Sequence, residues 1–323
     1  MPQPSSRAGA ASAFVVVADK VSKRYGERVA VDGLDLEVPR GGCFGLVGPN
    51  GAGKTTTLKM IYGVARPTAG TVTVFGIDVA RDARAACRRL GVTLQENVLI
   101  DAASTRENLR IFGRYHLLDE GELSLRIEEL LDFLELRSHA DAPARTLSGG
   151  YRRRLSVAMS LINRPDLLIL DEPSTGLDPA VRQTLWSRIR ELRARGTTVL
   201  LTTHYMDEAE RLCDHVVIMD GGRAMSEGAP RELIERHLAR EAVEVDCGEG
   251  EETALFGPMV DGGGDLKRLR AGNRVMLYTD DSTALVERIR RADGGDRRPF
   301  VVRPANLEDV FLSITGTTLR EGA

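Results

Sequence analysis

Short apolar segments of strand-like composition alternate with segments of helical periodicity between residues 14 and 237. Several of the apolar segments are continuous, which is typical of strands that are buried on both faces in the centre of a parallel sheet. The predicted strands are Phe14–Val17, Cys43–Val47, Val72–Phe75, Leu167–Leu170, Thr198–Thr202 and Val216–Met219. This alternation predicts an α/β core.

A helical subdomain is predicted inside the core, at about residues 96–164. Ser104-x-x-Glu107 has the pattern of a capping box at the start of a helix. Apolar residues then recur on one helical face, at Leu123, Ile127, Leu130, Leu131 and Leu134. The subdomain therefore has the character of a helical insertion in an α/β protein.

The pattern changes after about Arg240. Two alternating segments, Ala242–Cys247 and Arg274–Thr279, flank glycine-rich turns that include residues 262–264. They are followed by a predicted helix, strand and amphipathic helix at Thr283–Ala292, Phe300–Arg303 and Leu307–Ile314. We therefore divide the chain into a disordered tail (residues 1–13), a core domain (14–237) and a small α+β accessory domain (238–323).

Composition and charge exclude several classes of protein. Hydrophobic residues make up 42% of the chain and charged residues 28%, as in ordinary globular proteins. The net charge of −3 provides no general attraction to nucleic acid or anionic lipid. Apolar segments are too short to span a membrane, and the four cysteines are far apart, as expected of reduced thiols in the cytosol. Any association with a membrane is thus expected to depend on a partner.

A phosphate-binding loop follows the predicted strand Cys43–Val47. Residues Gly48–Thr55 fit the pattern G-x-x-x-x-G-K-[ST] and precede a helix, which is the context that the motif requires. Glycines let successive backbone N–H groups point at phosphate oxygens, Lys54 adds an ammonium, and the Thr55 hydroxyl can ligate Mg²⁺. The predicted ATP-binding residues of the loop are Gly48, Pro49, Asn50, Gly51, Ala52, Gly53, Lys54, Thr55 and Thr56.

Two acidic residues and a histidine follow the next predicted strands. Asp171 and Glu172 end the apolar segment from Leu167, and His204 ends the segment from Thr198. Ligand chemistry in α/β sheets lies at the carboxyl ends of parallel strands, so Asp171 is expected to hold Mg²⁺ and Glu172 to polarise the attacking water. His204 is expected to hydrogen-bond the γ-phosphate. A lone histidine is more often an ordinary surface or core residue. Only the position of His204, one predicted strand after the acidic pair, favours the functional role.

A second glycine-rich element begins a helix that is predicted to end near Asn163. Ser148 is expected to cap this helix, and Gly149 and Gly150 leave backbone N–H groups exposed at its positive end. Because the first loop already serves one end of the nucleotide, this second phosphate-binding surface suggests that two chains face each other. The arginines at 152–154 are interpreted as a solvated helix face.

Together, these motifs resemble the ATP-binding subunits of ABC transporters over roughly residues 14–235. The resemblance implies a P-loop NTPase core with a mixed sheet. It implies that Gly48–Thr55 is the Walker A motif, and that Asp171 and Glu172 are the Walker B aspartate and the catalytic glutamate. Leu147, Ser148, Gly149 and Gly150 are then the signature motif, which contacts ATP held by the opposite chain.

The same resemblance assigns four single residues. Gln95 resembles the Q-loop glutamine, which contacts Mg²⁺ and the attacking water. Asp178 resembles the D-loop acid, and His204 resembles the switch histidine. Tyr25 resembles the aromatic residue that stacks on adenine, although it is also compatible with an ordinary tyrosine of an edge strand. Tyr151 stands where many members carry glutamine, so the subtype does not follow from this position.

Further segments are similar to ATPases of the ABC-2 export branch, which includes daunorubicin-resistance and nodulation-factor exporters. They are Glu107–Leu109, the arginine-rich segment after the signature, Thr203–Ala209 and Asn306–Leu312. The resemblance implies an ATP- and Mg²⁺-dependent ATPase that powers export of a drug, an antibiotic or a glycolipid. It also implies a homodimer, or a heterodimer with a second ATPase, on the cytoplasmic face of the cell membrane. Motion would pass to separate ABC-2 permease subunits through the surface near Gln95–Asn108.

Two alternatives belong to other functional classes. One is an ABC-type ATPase that acts on nucleic acid or the ribosome. Lys54 and Ser148 are too close in sequence for the long coiled coil of chromosome-repair relatives. The sequence also has one cassette, where ribosomal relatives join two, and lacks the zinc-binding cysteines of excision-repair relatives. No nucleic-acid partner is therefore expected. The other is a nucleotide switch outside transport, against which Glu172 and His204 argue.

Overall fold

The computed structural model describes residues 13–248, 250–251, 256, 266–293 and 298–316. The tail predicted at residues 1–13 lies outside this range except for Ala13, as does the turn at 262–264. The chain divides into two compact units. The first contains the described parts of Met1–Leu46, Asn50–Thr203 and Met219–Ala224, and the second those of Val47–Pro49, His204–Ile218 and Met225–Ala323.

Every strand predicted for the core occurs, and four further strands, at Arg28–Pro39, Ile77–Asp78, Leu90–Thr93 and Arg223–Gly228, were not predicted. The strands are β1 (Phe14–Tyr25), β2 (Arg28–Pro39), β3 (Cys43–Val47), β4 (Ala69–Val74), β5 (Ile77–Asp78), β6 (Leu90–Thr93), β7 (Leu167–Asp171), β8 (Thr198–Thr203), β9 (His215–Asp220), β10 (Arg223–Gly228), β11 (Glu241–Asp246), β12 (Lys267–Ala271), β13 (Arg274–Thr279) and β14 (Phe300–Pro304). The helices are α1 (Lys54–Ile61), α2 (Val79–Cys87), α3 (Thr105–Tyr115), α4 (Glu120–Phe133), α5 (Gly149–Ser160), α6 (Pro179–Ala194), α7 (Met206–Leu212), α8 (Pro230–His237), α9 (Ser282–Ala292) and α10 (Leu307–Thr315).

Four strands in the first unit lie in the order β3-β8-β7-β6, and β8, β7 and β6 are parallel to one another. All residues of β7 and β8 are buried, which explains their continuous apolar sequence. The parallel register pairs Asp171 with Thr202 and Leu170 with Leu201, so the carboxyl ends of both strands meet at one edge of the sheet. This edge is where the acidic pair lies.

An antiparallel sheet in the same unit has the order β2-β1-β4-β5. β2 was not among the predicted strands, and β1 continues to Tyr25, eight residues beyond its predicted end. Both differences concern one hairpin, in which Tyr25 pairs with Arg28 and Gly26 has a φ of +57°. Polar residues on the solvent face of the hairpin interrupt its apolar residues, so a search for continuous apolar segments does not find these strands.

The predicted helical subdomain contains α3, α4 and α5. The capping box at α3 is confirmed: the N–H of Glu107 donates to Ser104 Oγ at 3.2 Å, and the N–H of Ser104 donates to Glu107 Oε2 at 2.7 Å. The five predicted apolar residues of the α4 region are all buried. α5 ends at Ser160, three residues before the predicted end.

The accessory region has an antiparallel sheet with the order β12-β13-β11-β14. Its core includes Val243, Val245, Leu277 and Ile289, so that α9 packs on the sheet. The predicted strands and helices occur here within one or two residues at their ends, and β12 was missed. Within the described residues, no helix is both long and apolar enough to cross a membrane. All four cysteines are free thiols, as expected.

Candidate functional site

The loop between β3 and α1 has a backbone that favours glycine. Gly48, Gly51 and Gly53 have φ values of +152°, +85° and +100°, a region that L-residues with side chains rarely adopt. Gly53 is also crowded, since an added Cβ would lie 2.5 Å from the carbonyl oxygen of Ala30. The loop is tied down where the N–H of Gly222 donates to the Ala52 carbonyl at 3.2 Å. The glycines therefore set the curvature that brings backbone N–H groups together at the N-terminus of α1.

A cleft of about 460 Å³ opens over this loop in the first unit. Its lining combines predicted residues with two that the sequence reasoning missed, Arg28 and Ala30. The predicted residues that line it are Tyr25, Asn50, Gly51, Ala52, Gly53, Lys54, Thr55, Thr56, Gln95 and Glu172. Arg28 and Ala30 belong to the hairpin of β1 and β2. The alternating sequence of this hairpin was the signal that would have predicted them.

Lys54 lies at the base of the cleft. Its side chain is buried, and Nζ is 3.6 Å from Glu172 Oε1. Burial lowers the pKa of the Lys54 ammonium below its ordinary value, and the negative charges of Glu172 and Asp171 oppose this shift. The site thus holds a cation with limited hydration, which would gain strongly from an anionic phosphate.

Asp171 and Thr55 form a set of oxygen atoms suited to a small cation. The Thr55 hydroxyl donates to Asp171 Oδ1 at 3.1 Å, and the Thr202 hydroxyl donates to the same carboxylate oxygen. Neighbouring ligands of an octahedral Mg²⁺ with bonds of about 2.1 Å are about 3.0 Å apart. The spacing of the Thr55 and Asp171 oxygens therefore fits two adjacent positions around Mg²⁺.

Glu172 follows β7 in an unusual conformation, with a φ of +47°. Its N–H donates to both the carbonyl and the hydroxyl of Thr202, each at 3.1 Å. Its buried carboxylate accepts hydrogen bonds from Gln95 Nε2 at 3.4 Å and from the Thr175 hydroxyl at 3.2 Å. A left-handed backbone at a residue other than glycine persists only where its surroundings impose it, so the position of this carboxylate is built into the fold.

The segment Leu147–Gly150 does not line the cleft of its own chain. Leu147 is buried, whereas Ser148 and Gly149 are exposed at the start of α5. Ser148 occupies the capping position with extended backbone angles, but its side chain makes no capping hydrogen bond. The prediction that its hydroxyl caps the helix is therefore wrong. The exposed helix start remains available to an anion outside the chain.

The interpretation of residues 152–154 as a solvated face is also wrong. Arg153 is buried, Arg152 bonds to Asp101, and Arg154 bonds to Glu135. Consecutive helical residues are 100° apart, so three of them span 200° and cannot all face solvent on a helix that packs on a core. That geometry was the missed signal. Arg153 in particular binds the backbone of the site.

Asp178 and His204 have structural roles of their own. Asp178 caps α6, where its Oδ1 accepts a hydrogen bond from the N–H of Val181 at 3.0 Å. His204 belongs to the second unit, and its ring packs on that of Tyr205 with centroids 4.1 Å apart. Their predicted catalytic and D-loop roles stay predictions.

Known proteins similar to this chain cover both units. Residues 31–175 match the ABC transporter family, and residues 267–316 match the family described as nodulation factor export protein NodI, C-terminal domain. The Nod factor export ATP-binding protein I of Cupriavidus metallidurans is 47% identical over 301 residues, which cover 93% of this chain and 97% of the relative. Its counterpart in Ralstonia nicotianae is 45% identical over 97% of each chain.

Solved structures of ATP-binding cassettes share the fold. An ATP-binding subunit of an ABC transporter has a TM-score of 0.64 and 29% identity, covering 69% of this chain and 92% of that one. A dimeric cassette in a post-hydrolysis state, bound to ADP and Pi, has a TM-score of 0.61 and 25% identity. This match covers 66% of this chain and 98% of the chain of the dimeric cassette.

Proposed function

Because this chain belongs to the ATP-binding subunits of ABC transporters, and is thus an ATPase that powers export, we propose that it works as a dimer with two shared ATP sites. The observation that carries this proposal is that Lys54, Thr55, Gln95 and Glu172 line the cleft above the glycine-rich loop, with Asp171 bonded to Thr55, whereas the exposed Ser148 lies outside that cleft. Each of these groups has a distinct task in binding or hydrolysing a nucleoside triphosphate.

ATP would be held by the loop and by the buried lysine. Backbone N–H groups of residues 50–56 would receive the phosphates, and Lys54 would place its charge between the β- and γ-phosphates. Thr55 and Asp171 would hold Mg²⁺, supported by the 3.1 Å spacing of their oxygens, with Gln95 beside them. Tyr25, half exposed at the cleft, offers a ring face to the adenine.

Hydrolysis would depend on Glu172. Its carboxylate would accept a hydrogen bond from water and orient the water oxygen towards the γ-phosphorus. A bond forms between that oxygen and the phosphorus as the bond from the phosphorus to the leaving oxygen of ADP breaks, and a proton of the water passes to the Glu172 carboxylate. Gln95, hydrogen-bonded to Glu172, would hold the same water. His204 would donate to the γ-phosphate. Lys54 would stabilise the negative charge that builds up on the phosphate oxygens, and Mg²⁺, if held by Thr55 and Asp171, would supply further positive charge there.

Dimerisation would complete each site. Ser148, Gly149 and Gly150 of one chain would cap the γ-phosphate held by the other, supported by the exposure of this helix start. Moving the closed state from 1:99 to 99:1 takes about 5.5 kcal/mol. Charge-assisted hydrogen bonds of about 1.5–3 kcal/mol each, two per site, suffice. Hydrolysis removes the γ-phosphate and with it the link between the chains, so ATP drives closing and its loss drives opening.

The membrane partner would be an ABC-2 permease, with this chain at the cytoplasmic face of the membrane. Leu94, Val98 and Ile100 are exposed apolar residues beside Gln95, as expected of a surface that a partner covers. The relatives at 45–47% identity are named for export of Nod factor. We infer a cargo of comparable chemistry, and the cargo path would lie in the permease.

Two measurements test this function. Mg²⁺-dependent ATPase activity should fall at least 100-fold in Glu172→Gln, while binding of ATP stays within threefold of the wild type. Pull-down in mild detergent should co-purify an integral membrane protein. Hydrolysis by Glu172→Gln at the wild-type rate would contradict the assigned role, and stimulation by RNA or ribosomes instead of by the co-purified permease would favour the alternative class.

A further inference from the structure

Arg153 joins three segments of the site through its guanidinium. It lies on α5, one turn after the exposed Ser148 and Gly149, and its side chain points into the protein interior. Five hydrogen bonds from the guanidinium end on backbone carbonyls. Nε donates to Pro173 O at 2.8 Å, Nη1 to Leu94 O at 2.5 Å and Gln95 O at 3.3 Å, and Nη2 to Asp171 O at 2.8 Å and Glu172 O at 2.9 Å.

These carbonyls belong to the two catalytic segments. Gln95 follows β6, and Glu172 follows β7 in the left-handed conformation. Thr202 fixes the N–H side of Glu172, and Arg153 fixes its carbonyl side. A peptide held at both ends keeps a strained φ that it would otherwise leave. A planar fork of five N–H donors can hold all five carbonyls at once, whereas an ammonium has only three donors and an amide only two.

We propose that Arg153 is a positioning residue that holds Glu172 and Gln95 in their hydrolytic arrangement and links both to the helix that carries Ser148–Gly150. The proposal rests on the function proposed above. When the start of α5 docks on the partner's ATP, a shift of the helix is passed by Arg153 to the Glu172 of its own chain. Each site thereby responds to occupation of the other.

A purely structural role for Arg153 makes a different prediction. A residue that only stabilises the fold would, on removal, reduce all activities together. A residue that acts through Glu172 should have little further effect once the carboxylate is gone, because contacting residues that work as a unit are not additive. A double-mutant cycle that combines Arg153→Gln with Glu172→Gln therefore separates a structural role of Arg153 from a positioning role.

The experiment compares Arg153→Gln and Arg153→Lys with Arg154→Gln, a matched change at the next residue of α5, whose partner Glu135 is half exposed. Arg153→Gln should lower kcat at least 20-fold, with the Kd of a non-hydrolysable ATP analogue within threefold of the wild type. Arg154→Gln should keep kcat within twofold. In the Glu172→Gln background, adding Arg153→Gln should change the residual single-turnover rate less than twofold.

Two outcomes overturn the inference: wild-type kcat in Arg153→Gln, or an equal loss of rate with and without the Glu172 carboxylate. If Arg153→Gln does not fold, Arg153→Lys decides, with a kcat at least fivefold below wild type as the expected result. Failure of both to fold beside a folded Arg154→Gln establishes a structural role instead. Wild-type hydrolysis by Glu172→Gln alone would instead refute the proposed function, so the two failures are distinguishable.

Discussion

Gly53→Ala tests whether the glycine-rich loop is shaped by backbone geometry and not only by its contacts. Gly53 has a φ of +100°, and an added Cβ would lie 2.5 Å from Ala30 O and 3.3 Å from Val31 Cγ2. Gly51 provides the matched control, because its φ is +85° while its Cβ would meet only Arg28 Nη2, at an ordinary 3.7 Å. The two substitutions share the backbone strain and differ in the clash.

The magnitude follows from these two terms. A left-handed backbone costs an L-residue about 1–2 kcal/mol. Forcing an extra carbon into a packed site costs about 1–3 kcal/mol more, and here the obstacle is backbone, which cannot rotate away. Gly51→Ala should therefore lose about 1–2 kcal/mol of ATP binding and Gly53→Ala about 2–5 kcal/mol. At 1.4 kcal/mol per factor of ten, a loss of 2 kcal/mol is about 27-fold, so the second variant should bind at least about 27-fold more weakly than the wild type.

Isothermal titration of each variant with Mg·ATP measures the difference, with thermal unfolding as a control for global damage. We expect the Kd of Gly53→Ala to exceed that of Gly51→Ala at least fivefold. Equal Kd values for the two variants, or a Kd for Gly53→Ala within threefold of the wild type, would refute the geometric reasoning.

Three further predictions concern charged residues. Lys54→Ala removes charge-assisted contacts to two phosphates, so ATP affinity by titration should fall at least 100-fold; a loss below fivefold would contradict this role. Arg303→Met leaves the buried Asp309 carboxylate without its bidentate partner. Urea unfolding followed by circular dichroism should show a loss of about 2–4 kcal/mol, since the guanidinium is partly exposed, and no loss would be a contrary result. Arg298 lowers the pKa of Glu251 from 4.5 to about 2 through hydrogen bonds, so this pair stabilises the fold fully above pH 4.5 and loses its effect as the pH falls towards 2. The difference in Tm between the wild type and Arg298→Gln should therefore shrink over that range, and a constant difference would argue against it.

Local chemistry explains which parts of the fold could be predicted. The capping box at Ser104 and the glycine-rich loop depend on residues a few positions apart, so the sequence contains all that they need. The buried strands β7 and β8 are equally direct, because burial on both faces requires a continuous apolar segment.

One missed feature had a local signal, and the others depend on contacts between distant segments. Buried and exposed residues alternate along β2, where Leu34, Leu36 and Val38 are buried between exposed neighbours. A search for continuous apolar segments misses such a strand, whereas a search for a period of two finds it. The partners of Arg153 are 18 to 59 residues away in the sequence, so nothing local distinguishes it from Arg152. Likewise, the left-handed φ of Glu172 follows from the Thr202 and Arg153 contacts and not from its own propensity.

The central claim is that ATP is shared between two chains, and the mass of Glu172→Gln in solution tests it most directly. Without nucleotide, light scattering should give the monomer mass of 35.2 kDa; with Mg·ATP it should give twice that value. Adding Ser148→Glu should abolish the dimer while ATP binding persists, because only the cap on the partner's phosphate is lost. A Glu172→Gln chain that binds ATP and stays monomeric, or dimerises equally well with Ser148→Glu, would contradict the account.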